Sequence, residues 1–540
     1  MKVEEYIHTL DGLPLEDVNR KIEEICGIKD YFADESESCI PVDVARDETY
    51  EYGDWQTNKD LANNVVRKVK AFFSPQVIIE PTCGKGSFVL SALEVFDAVT
   101  DVYAIEIYEP YLQQLKHDIL QGYLDGKYTK KVRFHLMHCN VFDVEWRTIS
   151  SNVLGDNVLI IGNPPWVTNS GIGRMNGDNL PRKANIKKVS GLSAMTGKGN
   201  FDIAEYICYQ LFQYFSQGNV MFALLLKNSV IRQICQSMPA MHLRMKDLVQ
   251  QTIDARREFG ASVDASLFTC RVGDGVPICD VSDFYSGEKK TRYGWVNGNF
   301  VSNIETYQCV EYLDGISPII WRSGVKHDCQ SVLELEKTDN GYINRLGETV
   351  DIEEDCIYPY VKSSDIQTGI TSDYGRFVVI TQRRAGDNPA VLKYSSPRTF
   401  DYLLQHRQYF EKRKSSVYNK RPEFSMFGIG EYTFKPFKIV ISSLYKKPKF
   451  VLLSPINGKC VIPDDTCYLV GFDTYEEADY IYDLLCKSQV NDFINSVSFN
   501  DAKRIITKEL LMRINLQRVS KQRAQVLRDF SFPAQQQLQF

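Results

Sequence analysis

Histidine is scarce in this 540-residue chain, seven in all, and none of the fourteen cysteines stands in a CxxC pair. Such usage offers neither a zinc-finger pattern nor a disulfide framework, so reduced thiols in a cytosol are expected, with no metal site. Long apolar runs are missing too. The longest, such as 220–226, have strand length, and the opening MKVEEYIHTL lacks both the basic and the apolar region of a signal peptide. A cytoplasmic protein with no membrane partner is the expectation. The phosphate-cradling GxxxxGK[ST] loop is absent, as is any repeat of constant period. Positive charge is in deficit, the net being −6 at pH 7, which by itself argues against a nucleic-acid partner.

The distribution of charge argues the other way. Residues 1–55 hold 16 acidic and 5 basic side chains, net −11, whereas 376–450 hold 16 basic and 5 acidic, net +11. A chain polarised in this way can set a basic face against a polyanion while its total stays negative. At 540 residues it is also too long for one ordinary core. From 58 onward, helical spacing (Leu61, Val65, Val66, Val69) gives way to apolar strand runs at 77–79, 102–105, 132–136, 158–162 and 219–226. Helical patterns over 88–96, 110–120 and 200–215 separate them. This alternation predicts an α/β fold, a mostly parallel sheet with helices on both faces. Beyond about 300 the pattern changes to short β runs (YPYVKSSDI, RFVVITQRR, FKIVISSLYKK, FVLLSP) with helix candidates at 396–414 and 475–494. The expected organisation is an acidic helical extension over 1–52, an α/β domain over 53–300, a second α+β domain over 301–526 ending in a basic helical segment from 501, and a tail over 527–540.

The stretch VLIIGNPPW, Val158 to Trp166, carries most of the functional signal. A buried strand ends at Gly162, and Pro164 and Pro165 prevent its continuation, since each fixes φ and removes a donor. Asn163 and Trp166 are thereby placed at the carboxyl edge of the sheet, where open α/β folds bind ligands. An amide suits an exocyclic amine and an indole suits a flat base; a plain proline-rich turn would read the same way in isolation. Upstream, EPTCGKGSF (80–88) puts a glycine turn between strand and helix, and Glu106 ends the next strand, where a ribose diol would be bound. Taken alone, this spacing fits a nicotinamide dinucleotide or a structural tight turn equally well.

Together, EPTCGKGSF, AIE, HCNVFD and IGNPPW resemble the S-adenosylmethionine-dependent DNA methyltransferases that act on adenine N6. The order is the gamma type, with cofactor motifs ahead of NPP[YWF] and a C-terminal target recognition domain. The resemblance implies a Rossmann-like methyltransferase sheet and site-specific methylation of duplex DNA. It implies S-adenosylmethionine as cofactor, S-adenosylhomocysteine as product, no metal requirement, and a separately encoded restriction endonuclease as candidate partner. It assigns cofactor binding to Thr57, Glu80, Pro81, Cys83, Gly84, Gly86, Glu106, Ile107, Asn140, Val141, Phe142 and Asn163. Glu80 would meet the ammonium and Glu106 the ribose. Asn140 stands where the family usually has Asp, and Asn58 where GxxxTP has proline. The catalytic turn would be Asn163, Pro164, Pro165 and Trp166, with Trp166 and Phe259 stacking on the two faces of a base rotated out of the helix.

Val167 to Asn200 carries six basic side chains against one acidic, and Arg174, Arg182, Lys183, Lys187 and Lys188 are candidates for phosphate contact. In the second domain the candidates are Arg383, Arg384, Lys412, Arg413, Lys414, Lys420 and Arg421. Asp202 and Lys227 read either as site residues or as a helix cap and a strand end. Competing classes are a bifunctional restriction enzyme, a cytosine-N4 DNA methyltransferase, an RNA or protein amino methyltransferase, and a noncatalytic DNA-binding module. The sole nuclease-like match, Glu288-x-Lys290 after Asp280 or Asp283, is of a length that occurs by chance.

Overall fold

The structure, a computed structural model, describes residues 1–32, 55–167, 202–369, 375–499 and 504–519. The chain divides into two compact units, Met1–Phe300 and Val301–Phe540.

The first unit is built on a ten-stranded mixed sheet. Its strands are β1 (Val77–Glu80), β2 (Asp101–Glu106), β3 (Arg133–His138), β4 (Asn157–Gly162), β5 (Asn219–Lys227), β6 (Met245–Ile253), β7 (Ala265–Val272), β8 (Ile278–Asp283), β9 (Lys289–Val296) and β10 (Asn299–Val301). They lie in the order β10-β9-β8-β6-β7-β5-β4-β1-β2-β3. The half from β3 to β5 is parallel. β7 then inserts antiparallel to both β5 and β6. Every residue of β1 and β2 is buried, which requires helices on both faces and explains why these strands read as unbroken apolar runs. From β1 the chain proceeds outward through β2 and β3, then returns to β4 on the other side. The order therefore reverses between β1 and β4, and a crevice opens beyond their carboxyl ends.

The helix Lys59–Lys70 begins where the Asn58 side chain accepts the Leu61 amide at 2.8 Å, one cap of the kind worth about 1 kcal/mol. It turns Leu61, Val65, Val66 and Val69 into the core, each burial contributing about 2 kcal/mol. Residues 1–32, expected as a separate acidic preface, share that same core through Val3, Ile22, Cys26 and Ile28. The helix Leu15–Cys26 ends at Gly27, φ 75°, where a Cβ would sit 2.0 Å from the Val132 carbonyl oxygen. Only glycine lets the chain approach the edge strand, and Ile28 then bridges to Phe134 of β3.

The second unit holds a six-stranded and a four-stranded sheet. The four β runs anticipated there form strands Ile357–Val361, Arg376–Val379, Phe437–Ser442 and Phe450–Leu453. The helix expected over 475–494 is two helices, Tyr475–Leu485 and Ser488–Val497, because Lys487 takes an extended ψ of 143°. The expected basic helix over 501–526 is likewise not continuous. Within 504–519 there is one helical turn, Lys508–Leu511, and a 3-10 turn, Leu516–Arg518. Leu510, Leu511, Ile514 and Leu516 are buried, and position 516 falls off the stripe that the other three define. Arg513 pairs with Asp314 and Arg504 with Asp465, so these charges are spent within the unit.

Candidate active site

At the carboxyl end of β1 the chain turns through 81–86. Gly84 (φ 52°) and Gly86 (φ 76°) are both left-handed, and a Cβ on either would collide, with Gln56 at 2.6 Å and with Leu115 at 2.2 Å. The turn is closed by the Gly86 amide on the Cys83 carbonyl at 2.8 Å and tied to β2 by the Cys83 amide on the Ile105 carbonyl at 2.8 Å. Glu106 completes the tie, its carboxylate accepting from the amides of Gly84 at 2.7 Å and Tyr108 at 2.8 Å. Glu80 is buried, and its carboxyl accepts from the Val89 amide at 3.2 Å in the helix Ser87–Val95. Burial pushes its pKa well above the carboxylate range, and nearby Glu106 adds to the effect. Burial likewise raises the Cys83 thiol, as suits a packing residue rather than a nucleophile.

At the end of β4, the Asn163 amide donates to the Trp55 carbonyl at 2.8 Å and to Thr57 Oγ1 at 3.4 Å. A carbonyl can only accept, so the amide orientation is set by chemistry. Its Oδ1 is buried and has no hydrogen-bond partner among the described residues, a deficit of about 1–3 kcal/mol. Residues 55–57 also touch the glycine turn: Ser87 Oγ donates to the Thr57 carbonyl at 2.7 Å and the Lys85 amide to Gln56 Oε1 at 3.1 Å. Asn58, in place of the family's proline, caps the next helix and donates to Glu258 at 3.0 Å.

A cleft of about 960 Å³, its open mouth included, lies over these strand ends. Every residue nominated for the cofactor lines it except Gly86, which sits behind the turn. Gln56, Thr82, Ser87, Tyr108 and Tyr111 line it as well and were missed. Their neighbours in sequence were the only signal available. Asn140 accepts the Phe142 amide at 3.1 Å, capping a short turn, and the Phe142 ring meets Tyr206 edge-on at 5.4 Å.

Pro164 is buried and Pro165 lines the cleft. The expected aromatic sandwich is not what the structure holds. Trp166 is 7% exposed, with its indole N–H on the Leu225 carbonyl at 3.3 Å. Phe259 packs against it directly, centroids 5.1 Å apart at 73°. A base between two rings needs them parallel and about 7 Å apart, twice a carbon contact. The two rings cover each other instead, so stacking a base between them requires one to move. Phe259 ends the five-residue helix Ala255–Phe259, bounded by the Asp254 cap and Gly260 at φ 71°.

Asp202 and Lys227 both prove to brace this turn. Asp202 is buried, caps the helix Ile203–Tyr214 and forms an ion pair with Lys227, whose Nζ also donates to the Trp166 carbonyl at 3.4 Å. Burial raises the Asp202 carboxyl even against the lysine beside it. Asp283, one half of the nuclease-like match, accepts the amides of Tyr285 and Ser286 in its own turn and pairs with Lys290.

Arg174, Arg182, Lys183, Lys187 and Lys188 lie outside the described residues. In the second unit Arg383, Arg384, Lys412, Lys414, Lys420 and Arg421 are exposed. Arg413 is a correction. It is half-buried, donates to the carbonyls of Ser425 at 2.7 Å and Phe410 at 3.1 Å, and stacks on Tyr418 at 3.8 Å. Desolvation lowers its pKa, and its donors serve the fold. Among the described residues, no helix is long and apolar enough to cross a membrane.

No protein-family model matches the chain. M.NspV, a type II methyltransferase of Nostoc sp., is 37% identical over 476 residues, 87% of this chain and 97% of that protein. The type IIL restriction-modification enzyme MmeI, solved in complex with DNA, shares the fold with a TM-score of 0.52 and 14% identity over 87% of this chain, which spans 65% of the MmeI chain. The type IIG restriction endonuclease BpuSI aligns over 92% of this chain and 61% of its own, with 14% identity and a TM-score of 0.36.

Proposed function

Because the chain belongs to the type II methyltransferases of restriction–modification systems, we propose that it methylates N6 of an adenine rotated out of duplex DNA, using S-adenosylmethionine. The observation that carries this reading is Asn163, whose Oδ1 is a buried acceptor without a partner among the described residues while its Nδ2 is already held by Trp55. An exocyclic amine offers two hydrogens, and the second would go to the Pro164 carbonyl.

The cleft suits the cofactor. Glu80 is a buried carboxyl that accepts from the Val89 amide and lies near Glu106, and an ammonium would bring it an opposite charge. Glu106 lines the same cleft with its carboxylate fixed by the Gly84 and Tyr108 amides, and a carboxylate so placed would accept from ribose hydroxyls. Gly84 lines the cleft, and Gly86 lets the turn close against Leu115 and so holds Gly84 there. Ile107, Asn140, Val141 and Phe142 line the same cleft and would hold the adenine ring of the cofactor. When bound, S-adenosylmethionine supplies a methyl group activated on a sulfonium. The protein's contribution is orientation: two acceptors fix the amine hydrogens, direct the nitrogen lone pair and raise its electron density. Trp166 holds the base plane, with Phe259 drawn back.

Digesting DNA to nucleosides after reaction with the purified protein tests this. N6-methyladenine is expected, lost in Asn163→Ala. N4-methylcytosine, preference for RNA, or reproducible site-specific breaks with Mg²⁺ would each replace it with a rival class. The protein then acts on DNA in the cytoplasm, beside a separately encoded endonuclease.

A further inference from the structure

Between the strand Arg376–Val379 and the helix Pro397–Gln405 the second unit makes an excursion pinned at both ends. At entry, Gln382 is buried; its amide donates to the Arg384 carbonyl at 2.7 Å and its oxygen accepts the Met426 amide at 2.9 Å. The Arg384 amide then closes a tight turn on the Asp387 carboxylate at 2.8 Å. Asn388 caps a 3-10 turn, Pro389–Val391, that runs into the helical turn Leu392–Ser395. At exit, Glu353 takes the amides of Arg398 at 3.0 Å and Thr399 at 2.8 Å.

A segment held this firmly packs only Leu392, half-buried, against the core and leaves Lys393, Tyr394 and Ser395 exposed. Tyr394 is 84% exposed and Val391 63%, and three residues apart on a helical turn they share one side. Single exposed apolar residues are ordinary; an ordered turn presenting a tyrosine and a valine together, with exposed Lys393 on the turn and exposed Arg383, stacked on Phe434 at 4.3 Å, earlier in the same excursion, is built to meet something. Of the acids nearby, Asp387 is occupied by its own turn and Glu431 by Arg384. With 376–450 at net +11, a polyanion is the complementary partner.

We propose that the 389–395 turn reads sequence in duplex DNA, with Val391 and Tyr394 against base edges and Arg383 and Lys393 on the flanking phosphates. This rests on the DNA-methyltransferase reading above. Apolar contacts discriminate between bases, whereas cations bind all sequences and release counterions. The two kinds of residue therefore leave different signatures.

The test maps the target by methylation-sensitive sequencing, then measures binding of the full-length protein to target and singly altered duplexes across a salt series. Tyr394→Ala should reduce discrimination on the order of tenfold with the salt slope unchanged. Lys393→Gln should weaken both duplexes alike and lower the slope by about one. Both sites are exposed, and a melting curve verifies that each variant folds. Undiminished discrimination in folded Tyr394→Ala overturns the proposal. So does loss of self-association in that variant with DNA binding intact, which would make the turn a contact between copies. Wild-type protein that methylates no duplex DNA would instead overturn the reading beneath it.

Discussion

Replacing Glu80 by Gln should make cofactor affinity insensitive to pH over a range where the wild-type affinity climbs. The Glu80 carboxyl is enclosed, and burial raises its pKa more than the Val89 amide lowers it, with Glu106 raising it further. Without a cation beside it, it therefore keeps its proton at pH values where an exposed glutamate has lost it. An ammonium ligand needs the carboxylate, so binding expels that proton. Affinity then rises with pH until the shifted pKa is passed, and below it each pH unit costs up to a factor of ten, about 1.4 kcal/mol. The sign for stability follows the same count. Between the ordinary and the raised pKa the folded, empty protein binds more protons than the unfolded chain, so its stability falls as pH rises through that window. Calorimetric titration with S-adenosylmethionine from about pH 5 to 8, in two buffers of different ionisation heat, reads both affinity and proton release. Wild-type affinity that is flat, with no buffer-dependent heat, would refute the reasoning.

Other outcomes follow from the same geometry. Gly86→Ala should abolish cofactor binding or cost about 1–2 kcal/mol of stability from left-handed backbone alone, with more from displacing Leu115; titration and thermal melting separate the two. Trp166→Ala should slow methylation with the cofactor Kd little changed, and 2-aminopurine at the target should brighten on binding wild type and respond differently in Phe259→Ala; identical fluorescence and turnover in the latter would leave that ring a packing residue. Lys227→Met leaves Asp202 buried and unpaired and should lower stability by about 3–5 kcal/mol, with Asp202→Asn in the same chain recovering part of the loss in a melting experiment. Arg413→Gln should destabilise the second unit while leaving the salt slope of DNA binding unaltered, since its donors already hold Ser425 and Phe410; a slope reduced by about one would return it to the DNA surface.

How far the chain could be read depended on whether a property was local. The parallel half of the sheet was legible because two-sided burial forces unbroken apolar runs such as 77–79 and 158–161, and the turns after them carry the glycines and prolines that such backbone requires. The candidate cleft was legible for a related reason: strand ends at a switch point converge whatever the loops contain, so Glu80 and Glu106, which end strands, meet Asn140 and Asn163, which follow them.

What pairs with what could not be read. Side-chain partners lie far apart in the chain, and nothing in a local pattern states who is opposite. Lys227 clasping both Asp202 and the Trp166 carbonyl, and Glu106 spending its carboxylate on the Gly84 amide, are tertiary facts. So is the edge-on contact between Trp166 and Phe259, 93 positions apart in the chain. Charge was the least local property. By sequence Arg413 and Arg421 are equivalent cations, yet three-dimensional packing buries one against Tyr418 and carbonyl oxygens and leaves the other exposed. Desolvation depends on every neighbour at once, and only the folded chain specifies them.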